Sequence, residues 1–329
     1  MQNRLKRVHF AAVGRDVHID VPLSNVAMNY EPKNMIADQL APVVPVPNMT
    51  GIIPQFGPED TYRVEDDTRA PGTAANEVTR SVGSDSFVCK NRALSYPVTL
   101  EDKANADPIY VQKLYNGAAQ YLVSKLGLGW ENRVANQVTS GSNVGSYSAV
   151  SSAWTDLENS DPLGDVNTGL DNVADSRGYR PNKVTFSETA WRLFRRNSTV
   201  RNLIFGNNNG GGYPSRAQVA NLLEVDEIMI GGAFKDTAAE GQTVNLSKVW
   251  ETGGANVLMH YAPSSPSVME PSFMYTLRWT LPNVPNMQAE RHPWDSIRKR
   301  ELVEVGYYQA EHITDSKLAF LLQAVDSST

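Results

Sequence analysis

The sequence has few of the residues and segments on which most redox, metal and membrane proteins depend. A single cysteine, Cys89, excludes an intrachain disulfide, a CxxC redox pair and a zinc site built from several cysteines. No apolar run approaches the ~20 residues that span a bilayer, and the first ten residues carry no signal-peptide pattern. We therefore expect a soluble protein that contacts no membrane.

Motifs for catalysis and cofactor binding are also lacking. The sequence contains no GxxxxGK[ST], HExxH, GxSxG or DxDxDG calcium loop, and its five histidines are scattered without a second ligand at helical spacing. The glycine-rich stretch 206–212 has no following lysine to reach a phosphate, which favours a surface loop. We predict no catalytic residue, no cofactor and no metal site.

Positive charge is in deficit. Thirty Lys and Arg stand against 36 Asp and Glu, a formal net charge of −6, which argues against a protein whose main surface wraps a nucleic acid and leaves only local basic patches. Hydrophobic residues make up 41% of the 329 residues, enough to bury a core.

The N-terminal third predicts extended structure. Residues 1–58 contain seven prolines and no long periodic segment, which indicates an arm. Residues 61–65, a turn at Pro71 and Gly72, and residues 77–82 predict a long polar hairpin, which is marginal alone and must lie on something else. Cys89 falls in a predicted strand, 86–90, as a half-buried thiol.

One long helix follows. Asp107 and Pro108 form a helix start, and apolar residues recur every four positions from Tyr110 to Val138, so we predict a helix ending near Thr139. Residues 140–152, rich in Gly, Ser and Asn, predict a linker.

The remainder alternates short helices and strands. Ser187 and Ser215 are expected to cap helices, and Gly178 to end one that covers 166–176. The other predicted elements are strands at 183–186, 225–230, 256–261 and 273–281, and a final antiparallel pair at 302–308 and 317–325.

This order of elements resembles that of the major capsid proteins of tailed bacteriophages, the Hong Kong 97-type shell fold that encapsulins also use. Residues 182–191 resemble the strand-then-helix entry to the family's axial domain, and residues 306–320 resemble its closing strands. The resemblance implies an α+β fold with an N-terminal arm (1–50), an extended E loop (51–102), a peripheral P domain (103–160 and 263–329, with a spine helix at about 108–139) and an axial A domain (161–262).

The same resemblance implies a structural function. Copies of the chain would form the pentamers and hexamers of an icosahedral head that encloses double-stranded DNA, assembled in the host cytoplasm and located in the virion. Partners would be the chain itself, a scaffold protein, a portal protein and, as a further option, decoration proteins. The candidate contacts between subunits are the charged residues of the E loop: Glu59, Asp60, Arg63, Glu65, Asp66, Asp67, Arg69 and Arg80.

Two alternatives stay open. An encapsulin shell would have the same fold and would enclose a cargo enzyme instead of DNA. A hydrolase would use Cys89 as its nucleophile, which requires a histidine close to it in space.

Overall fold

The computed structural model describes residues 18–30, 34–56, 62–79, 82–107, 110–206, 212–280 and 287–327. The chain divides into two compact units, each made of three segments. The first unit takes Met1–Glu31, Arg92–Lys125 and Pro282–Tyr307, and the second takes Pro32–Asn91, Leu126–Leu281 and Tyr308–Thr329.

Helices and strands are mixed along the chain. The helices are α1 Val21–Met28, α2 Ala37–Leu40, α3 Leu100–Asn105, α4 Val111–Val138, α5 Pro162–Arg177, α6 Glu188–Arg196, α7 Ser198–Phe205 and α8 Arg216–Leu223. The strands are β1 His18–Ile19, β2 Val43–Val46, β3 Thr50–Phe56, β4 Val82–Val88, β5 Lys90–Thr99, β6 Ser146–Ala149, β7 Lys183–Ser187, β8 Glu227–Gly231, β9 Phe234–Asp236, β10 Leu246–Lys248, β11 Val257–His260, β12 Met274–Trp279, β13 Gln288–Arg291, β14 Arg300–Ile313 and β15 Ala319–Gln323.

The first unit contains α1, α3, the first half of α4 and a set of antiparallel strands. β13 lies between β1 and β14, and β5 also pairs with β14. Glu301 on β14 accepts hydrogen bonds from Tyr115 at 2.6 Å and Arg291 at 2.9 Å and pairs with Lys103 at 2.7 Å. Burial alone would raise the pKa of Glu301, but these donors lower it to about 2, so the carboxylate is charged at neutral pH.

The second unit is built on a five-stranded sheet in the order β6-β15-β11-β7-β8. β11 pairs antiparallel with β15 and β7, and the outer strands β6 and β8 are parallel to their neighbours. Large side chains of α5 and α6 pack against this sheet, among them Leu170, Trp191 and Phe194. The unit also holds β2, which is parallel to β12, and β12 in turn pairs antiparallel with the end of β14.

Local signals place the helices of the second unit. The Asp161 carboxylate accepts from Gly164 N at the start of α5, and Gly178 ends that helix in the left-handed conformation. Ser187 caps α6, and Ser215 forms a capping box with Gln218 at the start of α8. The predicted helices are therefore confirmed, and α4 covers Val111–Val138 where about 108–139 was expected.

The closing strands differ from the prediction. Residues 302–308 and 317–325 do not pair with each other: β14 continues to Ile313 and pairs with β12, whereas β15 pairs with β11 and β6 in the other sheet. The expected connection, 309–315, is mostly strand. Alternating burial continues along it, with Tyr307 and Gln309 inside, so the strand period does not stop at Tyr308.

The structure also differs from three predictions for extended or loop segments. Of the hairpin's predicted strands, residues 62–65 and 77–79 are neither helix nor strand, and the pairing lies instead between β3 and β4, from Thr50↔Val88 to Phe56↔Val82. The expected linker, 140–152, contains β6. Within the arm, Leu40, Val44 and Val46 are buried in their own chain. The glycine-rich residues 207–211 lie outside the described residues.

Candidate interaction surface

Residues 62–79, between β3 and β4, form the longest exposed segment that the structure describes. Every residue in it is exposed, including Val64, which keeps 95% of its surface accessible. A turn at Pro71 and Gly72 reverses the chain, with Gly72 at a φ of +85° and Thr73 N donating to Ala70 O. We call residues 62–79 the acidic segment.

The strands that carry the acidic segment are anchored. Ile53 of β3 and Phe87 of β4 pack in a core cluster with Tyr275 and Leu277 of β12. The Gln55 side chain also donates to Thr314 O at 3.2 Å. The segment is thus exposed while its attachment is fixed by a packed core.

The structure places some of the predicted contact residues close together. Arg63 and Glu65 form an ion pair at 3.2 Å, and Arg69 Nε donates to Thr73 O at 2.6 Å. The Asp66 carboxylate accepts from Thr68 N at 2.9 Å, and that hydrogen bond lowers the pKa of Asp66. Asp67 is exposed. Glu59, Asp60 and Arg80 lie outside the described residues.

The acidic segment combines net negative charge with apolar side chains. It holds four carboxylates (Glu65, Asp66, Asp67, Glu77) against two arginines (Arg63, Arg69), a net charge of −2. Tyr62, Val64 and Val78 are large exposed hydrophobic residues in the same stretch. Sequence reasoning singled out the charges and missed these apolar residues, although an apolar side chain in a polar ribbon is itself a sign of an interface.

A second exposed surface lies on the first half of α4 and the adjoining strand β5. Its members are tyrosines and lysines, and we call it the Tyr/Lys stripe: Tyr96, Tyr110, Lys113, Tyr121 and Lys125. Lys113 Nζ lies 4.4 Å from the Tyr110 ring centroid, Lys125 Nζ lies 5.6 Å from that of Tyr121, and the Tyr96 and Tyr121 rings are 5.8 Å apart. Among the described residues, no carboxylate is within ion-pair distance of Lys113 or Lys125.

The structure buries most members of the helix's four-residue apolar repeat and leaves the first one exposed. Tyr110, expected as the first core position, is 49% exposed, whereas Ala118, Leu122, Val134 and Val138 are buried as expected. The four-residue repeat winds around the helix axis, so its first member falls outside the buried face.

The described ranges can be compared with the expectations for metal ligands and for Cys89. No group of three or more His, Cys, Asp or Glu side chains there could hold a metal ion. Cys89 is fully buried and not half-buried as expected, and its Sγ donates to Leu277 O at 3.6 Å. Burial raises the pKa of the Cys89 thiol, which opposes a thiolate nucleophile.

One cavity of about 570 Å³ opens beside the start of β4. Both signs of charge line it: Asp85, Glu270 and Asp315 against Arg177 and Lys317. Arg177 is already paired with Asp315 at 2.8 Å, so the cavity favours neither an anion nor a cation. In the part of the chain that the structure describes, no helix is long and apolar enough to cross a membrane.

Comparison with known proteins identifies relatives by sequence. No family model matches the chain. A major capsid protein of Burkholderia phage BcepMu is 27% identical over 273 residues, which cover 79% of this chain and 83% of that protein. A major capsid protein of Pseudomonas phage JBD67 is 26% identical over 239 residues, covering 70% and 74%.

Solved structures give the fold. A phage-related protein from Bordetella bronchiseptica RB50 superposes with a TM-score of 0.72 at 24% identity, covering 95% of this chain and 99% of that one. The capsid protein of cyanophage P-SCSP1u gives a TM-score of 0.56 at 12% identity, covering 91% and 90%. The chain therefore has the α+β, Hong Kong 97-type fold of phage capsid proteins, as the order of its elements predicts.

Proposed function

We propose that the chain, which has the capsid fold and major capsid proteins as relatives, is the structural subunit of a phage head. Many copies form pentamers and hexamers that close into an icosahedral shell around double-stranded DNA. The observation that carries this proposal is the match of fold over 95% of the chain, together with two relatives that are both major capsid proteins. The subunit is located in the virion and is assembled in the host cytoplasm.

The proposed mechanism is contact between copies. The acidic segment of one copy lies on the Tyr/Lys stripe of the next, where its carboxylates meet Lys113 and Lys125 and its apolar side chains cover the tyrosine rings. The segment's net charge of −2 and the two unpaired lysines make the surfaces complementary in sign. Affinity comes mainly from the buried aromatic area, since exposed ion pairs contribute only about 0–1 kcal/mol each.

Further partners follow from the same proposal. They are a scaffold protein, a portal protein and, as a further option, decoration proteins. An encapsulin shell remains the second candidate, because the fold alone does not distinguish the two contents. A cargo peptide inside small DNA-free particles would favour the encapsulin.

A structural role is favoured over hydrolysis by Cys89. The thiol is buried against Leu277 O and its raised pKa keeps it protonated at neutral pH. We therefore propose that the chain is not an enzyme. Substitution of Cys89 by Ala should leave shell assembly essentially intact.

The experiment is electron microscopy with light scattering on the full-length protein and on a variant that lacks residues 62–79. Because Phe56 and Val82 are paired, the seven residues left between them can close the hairpin. We expect the full-length protein, alone or with its scaffold, to form closed particles, and the variant to stay folded and unassembled. A matched control shortens the exposed loop between β9 and β10 by removing residues 239–242 and should assemble normally.

Different results would overturn the assigned interface and the capsid function. Normal particles from the variant that lacks 62–79 would overturn the assigned interface and leave the capsid function standing. A folded full-length protein that stays monomeric under every condition, with and without scaffold, would overturn the function itself.

A further inference from the structure

Residues 189–223 form a strongly basic stretch in an acidic chain. They contain five arginines and no Asp, Glu or Lys, whereas the whole chain has a net charge of −6. The arginines are Arg192, Arg195 and Arg196 on α6, Arg201 on α7 and Arg216 at the first position of α8. We call these five residues the arginine surface.

Two of the five arginines, Arg195 and Arg201, meet at the ring of Tyr213. The guanidinium carbons of Arg195 and Arg201 lie 5.2 and 5.8 Å from the centroid of that ring, so side chains from two helices and from the segment before α8 converge. On the opposite side of α6, Trp191 and Phe194 are buried in the core, which fixes the helix and leaves Arg192 and Arg196 exposed.

Four of the five arginines carry a charge that no ion pair neutralises in the part of the chain that the structure describes. Among residues with described positions, no carboxylate is within ion-pair distance of Arg192, Arg195, Arg196 or Arg216. Arg195 Nε is buried and has no hydrogen-bond partner. Favourable charge at a helix C-terminus accounts for Arg195 and Arg196, but it does not account for Arg192 or Arg216, which lie at other positions.

We propose that the arginine surface binds the phosphodiester backbone of double-stranded DNA without sequence preference. The choice of DNA as the partner rests on the proposed function, in which the shell encloses it. Arginine forms charge-assisted, two-pronged hydrogen bonds to phosphate oxygens, and such contacts position a protein on a duplex without reading its bases.

An acidic protein surface fits less well. The acidic segment of a second copy carries a net charge of only −2, and its Glu65 is already paired with Arg63. Duplex DNA presents about one charge per 1.7 Å of its axis, so several arginines can be matched at once. Glu188, one turn before Arg192 on α6, is paired with Lys248 at 3.6 Å, so the exposed arginines of this helix are left to match the denser charge of DNA.

The test is the salt dependence of binding to a fluorescent duplex of random sequence, measured by anisotropy with unassembled full-length protein. The variant replaces the three most exposed arginines: Arg192→Gln, Arg196→Gln and Arg216→Gln. Each lost phosphate contact lowers the slope of log Kobs against log salt by about 0.9, so we expect a slope smaller by about 2.7. A control with the same change in net charge at exposed lysines outside both proposed surfaces, Lys90→Gln, Lys299→Gln and Lys317→Gln, should keep the wild-type slope.

Several outcomes would overturn the proposal. They are the absence of DNA binding by the wild-type protein, equal loss of slope in the variant and the control, and a variant that binds DNA normally but no longer assembles, which would assign the surface to a protein partner. Particle formation is observed separately by microscopy. Arginine-dependent DNA binding by a protein that never forms particles would contradict the capsid function and keep this inference.

Discussion

The buried carboxylate of Glu131 joins the spine helix α4 to the start of α2 and to Trp250. It is fully buried in the middle of α4, and its oxygens accept from Ile36 N at 3.0 Å, Ala37 N at 2.8 Å and Trp250 Nε1 at 2.6 Å. These donors lie about a hundred residues before and after Glu131 in the sequence. Nothing in the sequence around Glu131 therefore indicates its role. The carboxylate fixes the start of α2 and the Trp250 ring against the spine helix.

Replacing Glu131 by Ala should therefore destabilise the unassembled protein by about 2–4 kcal/mol, because three buried donors lose their acceptor. Glu131→Gln replaces one acceptor oxygen by an NH2 group that would face an N–H donor, so it should cost about as much. Denaturant unfolding measures both. The exposed Gln120→Ala on the same helix serves as the control, and a Glu131→Ala value as small as the control's would contradict this role.

His260 gives the chain a defined response to acid. It is fully buried on β11 with neither ring nitrogen hydrogen-bonded, and burial, with the nearby Lys183 charge, lowers its pKa from 6.5 to about 3. Below about pH 6.5 His260 becomes protonated in the unfolded chain, whereas in the folded chain it stays neutral until about pH 3. The free energy of unfolding therefore falls as the pH drops from about 6.5 toward 3.

Replacing His260 by Leu should flatten this part of the pH profile. We expect the free energy of unfolding of the wild type to fall by a few kcal/mol more than that of the variant between about pH 6.5 and 4. Urea unfolding of unassembled protein across this range measures the difference. Parallel profiles for the wild type and His260→Leu would rule out His260 as the cause.

At the scale of elements, local signals were sufficient for helices and insufficient for strand pairing. Ser187, Ser215 and Gly178 mark helix ends through contacts within four residues, so the sequence alone places α5, α6 and α8. The partners of β14 and β15 are decided by packing across the chain, which no period in the sequence encodes. Strands β14 and β15 are therefore found at about the right positions, but the prediction that they pair with each other is wrong.

Gly145 makes one such long-range pairing possible. It donates to Ser316 O at 2.7 Å immediately before β6 pairs with β15, and an added Cβ would lie 2.6 Å from the Lys317 Cα. That contact is with backbone, which cannot move aside without separating the strands. Sequence reasoning treated this stretch as a linker because its Gly, Ser and Asn content favours loops.

Gly145→Ala should accordingly cost about 1–3 kcal/mol of stability, as overpacking does. Gly117→Ala is the matched control, since no atom lies within 4 Å of its added Cβ, and alanine in a helix interior should stabilise by up to ~1 kcal/mol. Denaturant midpoints of the two unassembled variants should move in opposite directions. A shift of the same sign in both would contradict the close approach.

At the scale of the whole molecule, the order of elements predicted the fold, and half of the proposed interface was visible in the sequence. Glu65, Asp66 and Asp67 could be assigned to an extended loop from the predicted polar hairpin and from the resemblance to the capsid family. The Tyr/Lys stripe could not, because Tyr96 comes from β5 and joins Tyr121 of α4 only after folding. A surface shared by two elements has no signature in either one.

The contact between copies can be tested by exchanging charges. Lys113→Glu with Lys125→Glu on the stripe, or Asp67→Lys with Glu77→Lys on the acidic segment, places like charges together in every interface. Either pair should raise the critical concentration for assembly about tenfold, or about 1.4 kcal/mol per copy, while the unassembled subunit keeps its stability. Light scattering over a concentration series measures this.

Combining the two pairs of substitutions decides whether the surfaces meet. If the acidic segment lies on the stripe, the fourfold variant restores opposite charges and should recover most of the lost assembly, because the coupling depends on sign and not on the identity of the residue. Recovery should also weaken as salt rises toward about 1 M, where the screening length falls to about 3 Å. Additive losses in the fourfold variant would mean that the two surfaces contact different partners, and the proposed interface would be wrong.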